Sequence, residues 1–147
     1  MKIDIKPDAR PIKKIPYKLA HKYKEIVKKE IKNMLVVGII YPIDQSEWEI
    51  PMVIQPKKHD PKKLRICLNF RELNKVTLTD PFSTPFADEI LNEVARHECY
   101  SFTDGFSGYN PVPIAKEDQK KMTFVCEFSS FAYIVMPFGL NNAPFVF

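Results

Sequence analysis

The chain has 147 residues, 45% of them hydrophobic and 27% charged, a balance that argues against a disordered tail and supplies about one domain's worth of core. No apolar run reaches the roughly 20 residues that span a bilayer, and the opening six residues alternate charge with isoleucine, so neither membrane insertion nor secretion is expected. The net charge of +4 conceals a split: residues 1–75 carry 18 Lys and Arg against 9 Asp and Glu, and residues 76–147 carry 4 against 9. A basic half suits a polyanionic partner, because neutralising phosphates releases counterions. On charge alone, a solvated lysine surface fits equally well.

Residues 1–20 hold Pro7, Pro11 and Pro16 among lysines, which disfavours helix and predicts an extended basic arm. A helix follows. Tyr23, Ile26, Val27, Ile31, Met34 and Leu35 recur at helical spacing, Lys22, Lys24, Lys28, Lys29 and Lys32 take much of the other surface, and Gly38 stands at the C-terminal cap. Short strands are predicted over 39–42 and 50–55. A third, over 63–70, alternates Leu64, Ile66, Leu68 and Phe70 with Arg65, Cys67 and Asn69. The hairpin made by the last two gathers Lys57, Lys58, Lys62, Lys63 and Arg65, a cluster that is costly unless an anion answers it.

A second helix is expected over 85–95, with Thr84 as N-cap, Pro85 at the first helical position and Asp88 and Glu89 near the positive end. Strands are then expected over 99–103, 112–115, 123–128 and 131–136, with Ser129 and Ser130 as a tight turn. The chain closes on what reads as the first turn of a helix, residues 142–145. Cys67, Cys99 and Cys126 are scattered and His21, His59 and His97 isolated, so neither a disulfide framework nor a zinc site is indicated.

Asp104 ends a predicted apolar strand just before a glycine-containing turn, where a carboxylate projects either onto a metal ion or simply into the turn it forms. Two-metal phosphoryl transfer needs several converging carboxylates, and only one is visible here. Gly105 and Gly108 permit close backbone approach to a triphosphate, with Tyr109 beyond them placed to lie beneath a sugar; a tight turn with a packed tyrosine is the plainer alternative. Lys58, Arg65 and Arg71 are phosphate-binding candidates, and equally ordinary surface charges taken singly.

The stretches GIIYPIDQSEW (38–48), PKKHDPKKLRICLNFRELNKVT (56–77), DPFSTPFADEIL (80–91), YSFTDGFSGYN (100–110) and MPFGLNNAP (136–144) resemble, in order and spacing, the reverse transcriptases of gypsy-type LTR retrotransposon Pol polyproteins. The resemblance covers nearly the whole chain and implies an α+β fold: the arm at 1–20, fingers of a right-hand polymerase over 21–84, and an incomplete palm over 85–147 with fingers-type strands interleaved. It implies that Asp104 is the first of three metal-binding catalytic aspartates. Tyr109 would be the gate against a ribose 2′-hydroxyl, with the Ser107 and Gly108 amides facing the triphosphate. Lys58 and Arg65 would be fingertip cations, and Phe138 and Gly139 would line the same pocket. Lys57, Lys62 and Lys63, together with Asn69, Arg71, Asn74 and Lys75 of the NFRELNK segment, would contact nucleic acid.

The cofactor implied is Mg2+, with Mn2+ as substitute. The partners implied are an RNA/DNA template-primer, deoxynucleoside triphosphates and the rest of Pol (remaining palm, thumb and ribonuclease H), in the cytoplasm, a virus-like particle or the nucleus. The family's other two aspartates lie in a Tyr-x-Asp-Asp turn, and these residues contain no Asp-Asp pair. Asn69, Pro111, Met122 and Ser129 stand where the family carries Asp, Gln, Thr and Gly. The expectation is therefore a fragment without polymerase activity of its own, set against two rivals: a non-catalytic nucleic-acid-binding remnant and a decayed piece without activity.

Overall fold

The computed structural model describes residues 1–57, 60–81, 85–101 and 109–146, with only the backbone for 57 and 60–63. Helix α1 (His21–Val37) buries Val27 and Ile31 and half-buries Tyr23, Met34 and Leu35, whereas Ile26 of the predicted apolar set is exposed. Gly38 ends it in the left-handed region (φ 77°), where its N–H and that of Ile39 satisfy the carbonyls of Leu35 and Met34.

Strands β1 (Ile40–Pro42), β2 (Ile50–Lys57), β3 (Asp60–Leu68), β4 (Thr123–Val125) and β5 (Ser130–Tyr133) form one mixed sheet in the order β1-β5-β4-β2-β3. The β2/β3 hairpin is antiparallel from Met52 opposite Leu68 to Lys57 opposite Asp60, with an irregularity at Pro56/Lys57. Strand β4 lies parallel to β2 and antiparallel to β5, and β5 pairs in turn with β1. Two strands from the far end of the sequence thus separate β1 from β2. The aromatic trio that results, with Phe124 5.7 Å from Phe131 and 5.6 Å from Tyr133, is the centre of the core. Ile3, Val27, Leu73, Met122 and Met136 pack into the same core. Burial pushes the Tyr133 hydroxyl well above its ordinary pKa.

The extended arm is stitched to the rest of the chain. Lys14 and Glu49 link the arm to the start of β2 through backbone bonds, Ile5 bridges Thr77, and the Ile3 N–H donates to the buried Asp118 carboxylate at 2.9 Å.

Several elements differ from expectation. The third strand stops at Leu68 because Phe70, 3% exposed, turns into the core and starts helix α2 (Arg71–Val76), which strand alternation concealed. Helix α3 (Ala87–Val94) starts two residues later than predicted, with Phe86 in the cap position and its N–H donating to the Glu89 carboxylate at 3.0 Å. Thr84, the expected cap, lies outside the described residues, and Pro85 precedes the helix. No strand forms over 99–101, and 102–103 are outside the described residues. The 112–115 strand shrinks to a single bridge, Pro113 to Val135, since Pro111 and Pro113 deny the ladder two donors. The turn before β5 centres on Glu127 and Phe128, two positions earlier than Ser129–Ser130: the Cys126 N–H donates to the Ser129 carbonyl, and Ser130 already belongs to the strand. Helix α4 (Ala143–Val146) closes the described chain.

Candidate nucleotide and template site

Asn110 and Pro111 sit inside a turn closed by the Val112 N–H donating to the Tyr109 carbonyl at 3.0 Å. The Met136 N–H donates to Val112 and the Ile114 N–H to Ile134, so this turn lies alongside the segment leaving β5. Tyr109 therefore meets Phe138: their rings are 4.8 Å apart and tilted by 54°, a geometry favoured by aromatic quadrupoles. Phe138 remains 66% exposed, a large apolar ring presented to solvent beside a tyrosine. Gly139 follows at φ 103°, a backbone conformation open to glycine and strained for other residues.

Helix α2 is the other wall. Asn69 accepts from the Arg71 N–H at 3.3 Å, an Asx-type turn that leads the chain into the helix; an aspartate here would do the same, so this departure from the family leaves the local fold intact. Leu73 is buried, and the Thr77 hydroxyl donates to its carbonyl, closing the last turn. Arg71 and Lys75 are exposed. Lys75 pairs with Glu72 at 3.1 Å, and Lys14 approaches the same carboxylate at 3.7 Å. The Lys75 hydrogen bond first, and its charge second, hold Glu72 below the usual carboxylate range. From the inner side of α2, Asn74 Nδ2 donates to the Gly139 carbonyl at 2.8 Å and Asn74 Oδ1 accepts from the Asn141 N–H at 3.1 Å.

Of the residues singled out in the sequence, the structure thus brings together Asn74, Tyr109, Phe138 and Gly139. Arg65 stands exposed on β3 opposite Gln55 and makes no hydrogen bond or ion pair with another described residue. Lys58, Asp104, Ser107 and Gly108 lie outside the described residues, as do the side chains of Lys57, Lys62 and Lys63. Pro111 is exposed, and its missing N–H is not one the turn requires. Met122 is fully buried in the core and Ser129 supplies a carbonyl to Cys126, so both belong to the scaffold. Sequence reasoning missed the roles of Asn141 and Asn142, whose side chains reach back to α2 and the segment after it.

A separate groove of about 610 Å³ lies between the 44–49 connection and the 3-10 turn Gln119–Met122. Its walls carry both signs of charge, and the Ser46 hydroxyl is already engaged by the Lys120 carbonyl and the Trp48 N–H. It has no concentration of like charge for a polyanion and no unspent polar group aimed inward from Ser46.

Residues 55–147 match the family described as reverse transcriptase (RNA-dependent DNA polymerase). The chain belongs to the reverse transcriptase family. It is 31% identical over 140 residues to the retrovirus-related Pol polyprotein from transposon 297 of Drosophila melanogaster, covering 93% of this chain and 13% of that protein. It is 29% identical over 145 residues to the corresponding polyprotein from transposon gypsy of the same fly, covering 95% and 14%. A foamy viral protease-reverse transcriptase solved in complex with an RNA/DNA hybrid matches 97% of this chain and 19% of that one, with a TM-score of 0.76 at 20% identity. The α+β reverse-transcriptase fold is therefore that of this chain, and its relatives are parts of Pol polyproteins. The chain spans about an eighth of the length of those relatives. A divalent metal ion is the family's cofactor in the intact enzyme. Among the described residues no three His, Cys, Asp or Glu side chains form a group that could hold a metal.

Proposed function

We propose that this reverse transcriptase chain forms the nucleotide-facing turn and the adjoining template-facing helix of an RNA-directed DNA polymerase, acting within a longer Pol polypeptide in the cell interior. The observation that carries the reading is the Tyr109–Phe138 pair: a tyrosine ring fixed 4.8 Å from an exposed phenylalanine on a glycine-bent turn. Such a ring, held at a tilt of 54° by its neighbour, is proposed to offer a flat apolar surface to a deoxyribose and to discriminate against an added hydroxyl. In template-directed nucleotidyl transfer a primer 3′-oxygen attacks the α-phosphorus of a deoxynucleoside triphosphate and pyrophosphate leaves. On this reading, Tyr109 and Phe138 hold the sugar, exposed Arg65 meets phosphate in bidentate fashion, and Arg71 meets the template backbone.

The metal in this proposal is Mg2+, which neutralises developing phosphoryl charge when bound. The described residues do not by themselves make a site for it. Asp104 is proposed as one ligand. Because the 147 residues contain no Asp-Asp pair, the chain by itself is expected not to polymerise. Primer extension on an RNA template with Mg2+ and pure chain tests this: no product is expected, and product above a no-protein control overturns it. Binding to an RNA/DNA hybrid tests the remainder. Affinity that falls steeply with added salt is expected, whereas salt-insensitive binding or none removes the template role.

A further inference from the structure

We propose that Asn74, Asn141 and Asn142 are positioning residues that hold the Phe138–Gly139 turn in register with helix α2 and so keep Tyr109 in place against Phe138; this rests on the nucleotide-site reading above. Five hydrogen bonds carry the inference. Asn74 Nδ2 donates to the Gly139 carbonyl at 2.8 Å, Asn74 Oδ1 accepts from the Asn141 N–H at 3.1 Å, and the Asn74 carbonyl accepts from Asn141 Nδ2 at 3.3 Å. One turn further on, Asn142 Nδ2 donates to the Leu78 carbonyl at 2.8 Å, and Asn142 Oδ1 accepts from the Asp80 N–H at 3.2 Å.

The side-chain amides of Asn74 and Asn142 each use a donor and an acceptor at once, and a planar amide bonded at both ends is fixed in rotation as well as distance; Asn141 adds one side-chain donor and its backbone N–H. The bonds lie at an exposed surface, where water competes and the net gain from each is small. Their consequence is geometric. The turn cannot slide along α2 without breaking the Asn74 and Asn141 bonds together, and Phe138 cannot move without shifting the ring that Tyr109 rests on.

The NFRELNK resemblance suggests a nucleic-acid contact for Asn74, yet both ends of its amide face the protein turn. Arg71 and Lys75 on the same helix are the exposed members. Asn74 thus couples the surface that would meet a template to the turn that would meet a nucleotide, without being the group that touches either.

The test is aromatic NMR on the full chain labelled at Phe and Tyr. In Asn74→Ala the Tyr109–Phe138 cross-peaks should be lost, while those among Phe124, Phe131 and Tyr133 persist. Asn74→Asp should lose them at pH 7, where a carboxylate faces the Gly139 carbonyl. It should regain them below about pH 4, where a protonated carboxyl donates in place of Nδ2. A residue that merely adds stability would show no such recovery. Should an Asn74 variant fail to fold, Asn142→Ala removes only the bonds to Leu78 and Asp80 and is expected to weaken the same cross-peaks selectively. Retention of the Tyr109–Phe138 contact in Asn142→Ala or Asn74→Ala, or its loss only together with the core contacts, overturns the proposal. Titrating the unaltered chain with dTTP and Mg2+ separates the two readings: unmoved Tyr109 resonances sink the nucleotide role and leave the latch standing.

Discussion

Replacing Gly139 with alanine isolates the backbone demand of the site turn. At φ 103° an added Cβ would lie 3.4 Å from Phe70 Cδ2, ordinary contact, so space is not the obstacle. The cost is conformational: a non-glycine residue held in a sparsely populated region costs about 1–3 kcal/mol. Alanine also narrows the unfolded ensemble, offsetting about 0.4–1 kcal/mol, which leaves a net loss of up to about 2.6 kcal/mol, centred on about 1.3 kcal/mol. For a chain of this size that lowers Tm by about 2–8 °C. Gly38→Ala is the internal control. At φ 77°, with nothing within 4 Å of the added carbon, its penalty is the left-handed one of about 1–2 kcal/mol before the same offset. Thermal unfolding by circular dichroism measures both. Gly139→Ala should be destabilised at least as much as Gly38→Ala, and it alone should weaken the Tyr109–Phe138 cross-peaks. A Gly139→Ala protein as stable as the parent would refute the turn geometry on which the site is built.

Phe124→Ala removes a fully buried ring touching Phe131 and Tyr133 and should cost about 3–5 kcal/mol, read as a lower urea midpoint; a loss under about 1 kcal/mol would mean the core lies elsewhere. The Glu127 carboxyl is held below its ordinary value of 4.5 by hydrogen bonds from Lys24 and then from the Leu19 N–H. Its stabilising contribution is therefore complete above that value and fades as pH falls through the lowered one. Lys24→Gln should return the Glu127 titration, followed by carboxyl-carbon NMR, toward the ordinary range, and an unchanged midpoint would discount the pair. Arg71→Gln should reduce the slope of log affinity against log salt for an RNA/DNA hybrid by about 0.9, one phosphate contact, whereas Lys24→Gln should leave the slope unchanged.

The hairpin, α1 with its glycine cap and the start of α4 were legible because each is written in local periodicity: alternation at 64–68, helical spacing at 23–35, a turn ahead of Ala143. Helix α2 was not. Six residues are too few to display a helical face, and Leu64 to Phe70 continues a strand pattern until Phe70 is claimed by the core. The strand expected at 112–115 failed for the opposite reason, since tertiary placement beside residues 134–136 gave it one bridge and two prolines prevented more. At the site, motif resemblance picked out Tyr109, Phe138 and Gly139 and assigned them to one pocket. Their meeting depends on the Val112–Met136 bond and on a non-local sheet order, information that single-sequence spacing does not hold. Asn141 and Asn142 read as turn residues, and their long-range partners in 74–80 appear only once the fold is closed.

The charge split takes on a different meaning once the pairs are known. Part of the basic half is neutralised by carboxylates that build the fold: Lys24 by Glu127, Lys13 by Glu49, Lys14 and Lys75 by Glu72, Lys28 by Glu25. Surface pairs of this kind add little stability each, but they lower the positive potential offered to a polyanion. Lys22, Lys29, Lys32, Arg65 and Arg71 form no ion pair with another described residue and are exposed. Among them, only Arg71 sits on the helix whose inner face holds the Gly139 turn. In the proposed function, phosphate contact and nucleotide placement converge on α2, a six-residue element, and this makes α2 the place where a change of charge outside and a change of amide inside should have separable effects: the first on the salt dependence of binding, the second on the Tyr109–Phe138 contact.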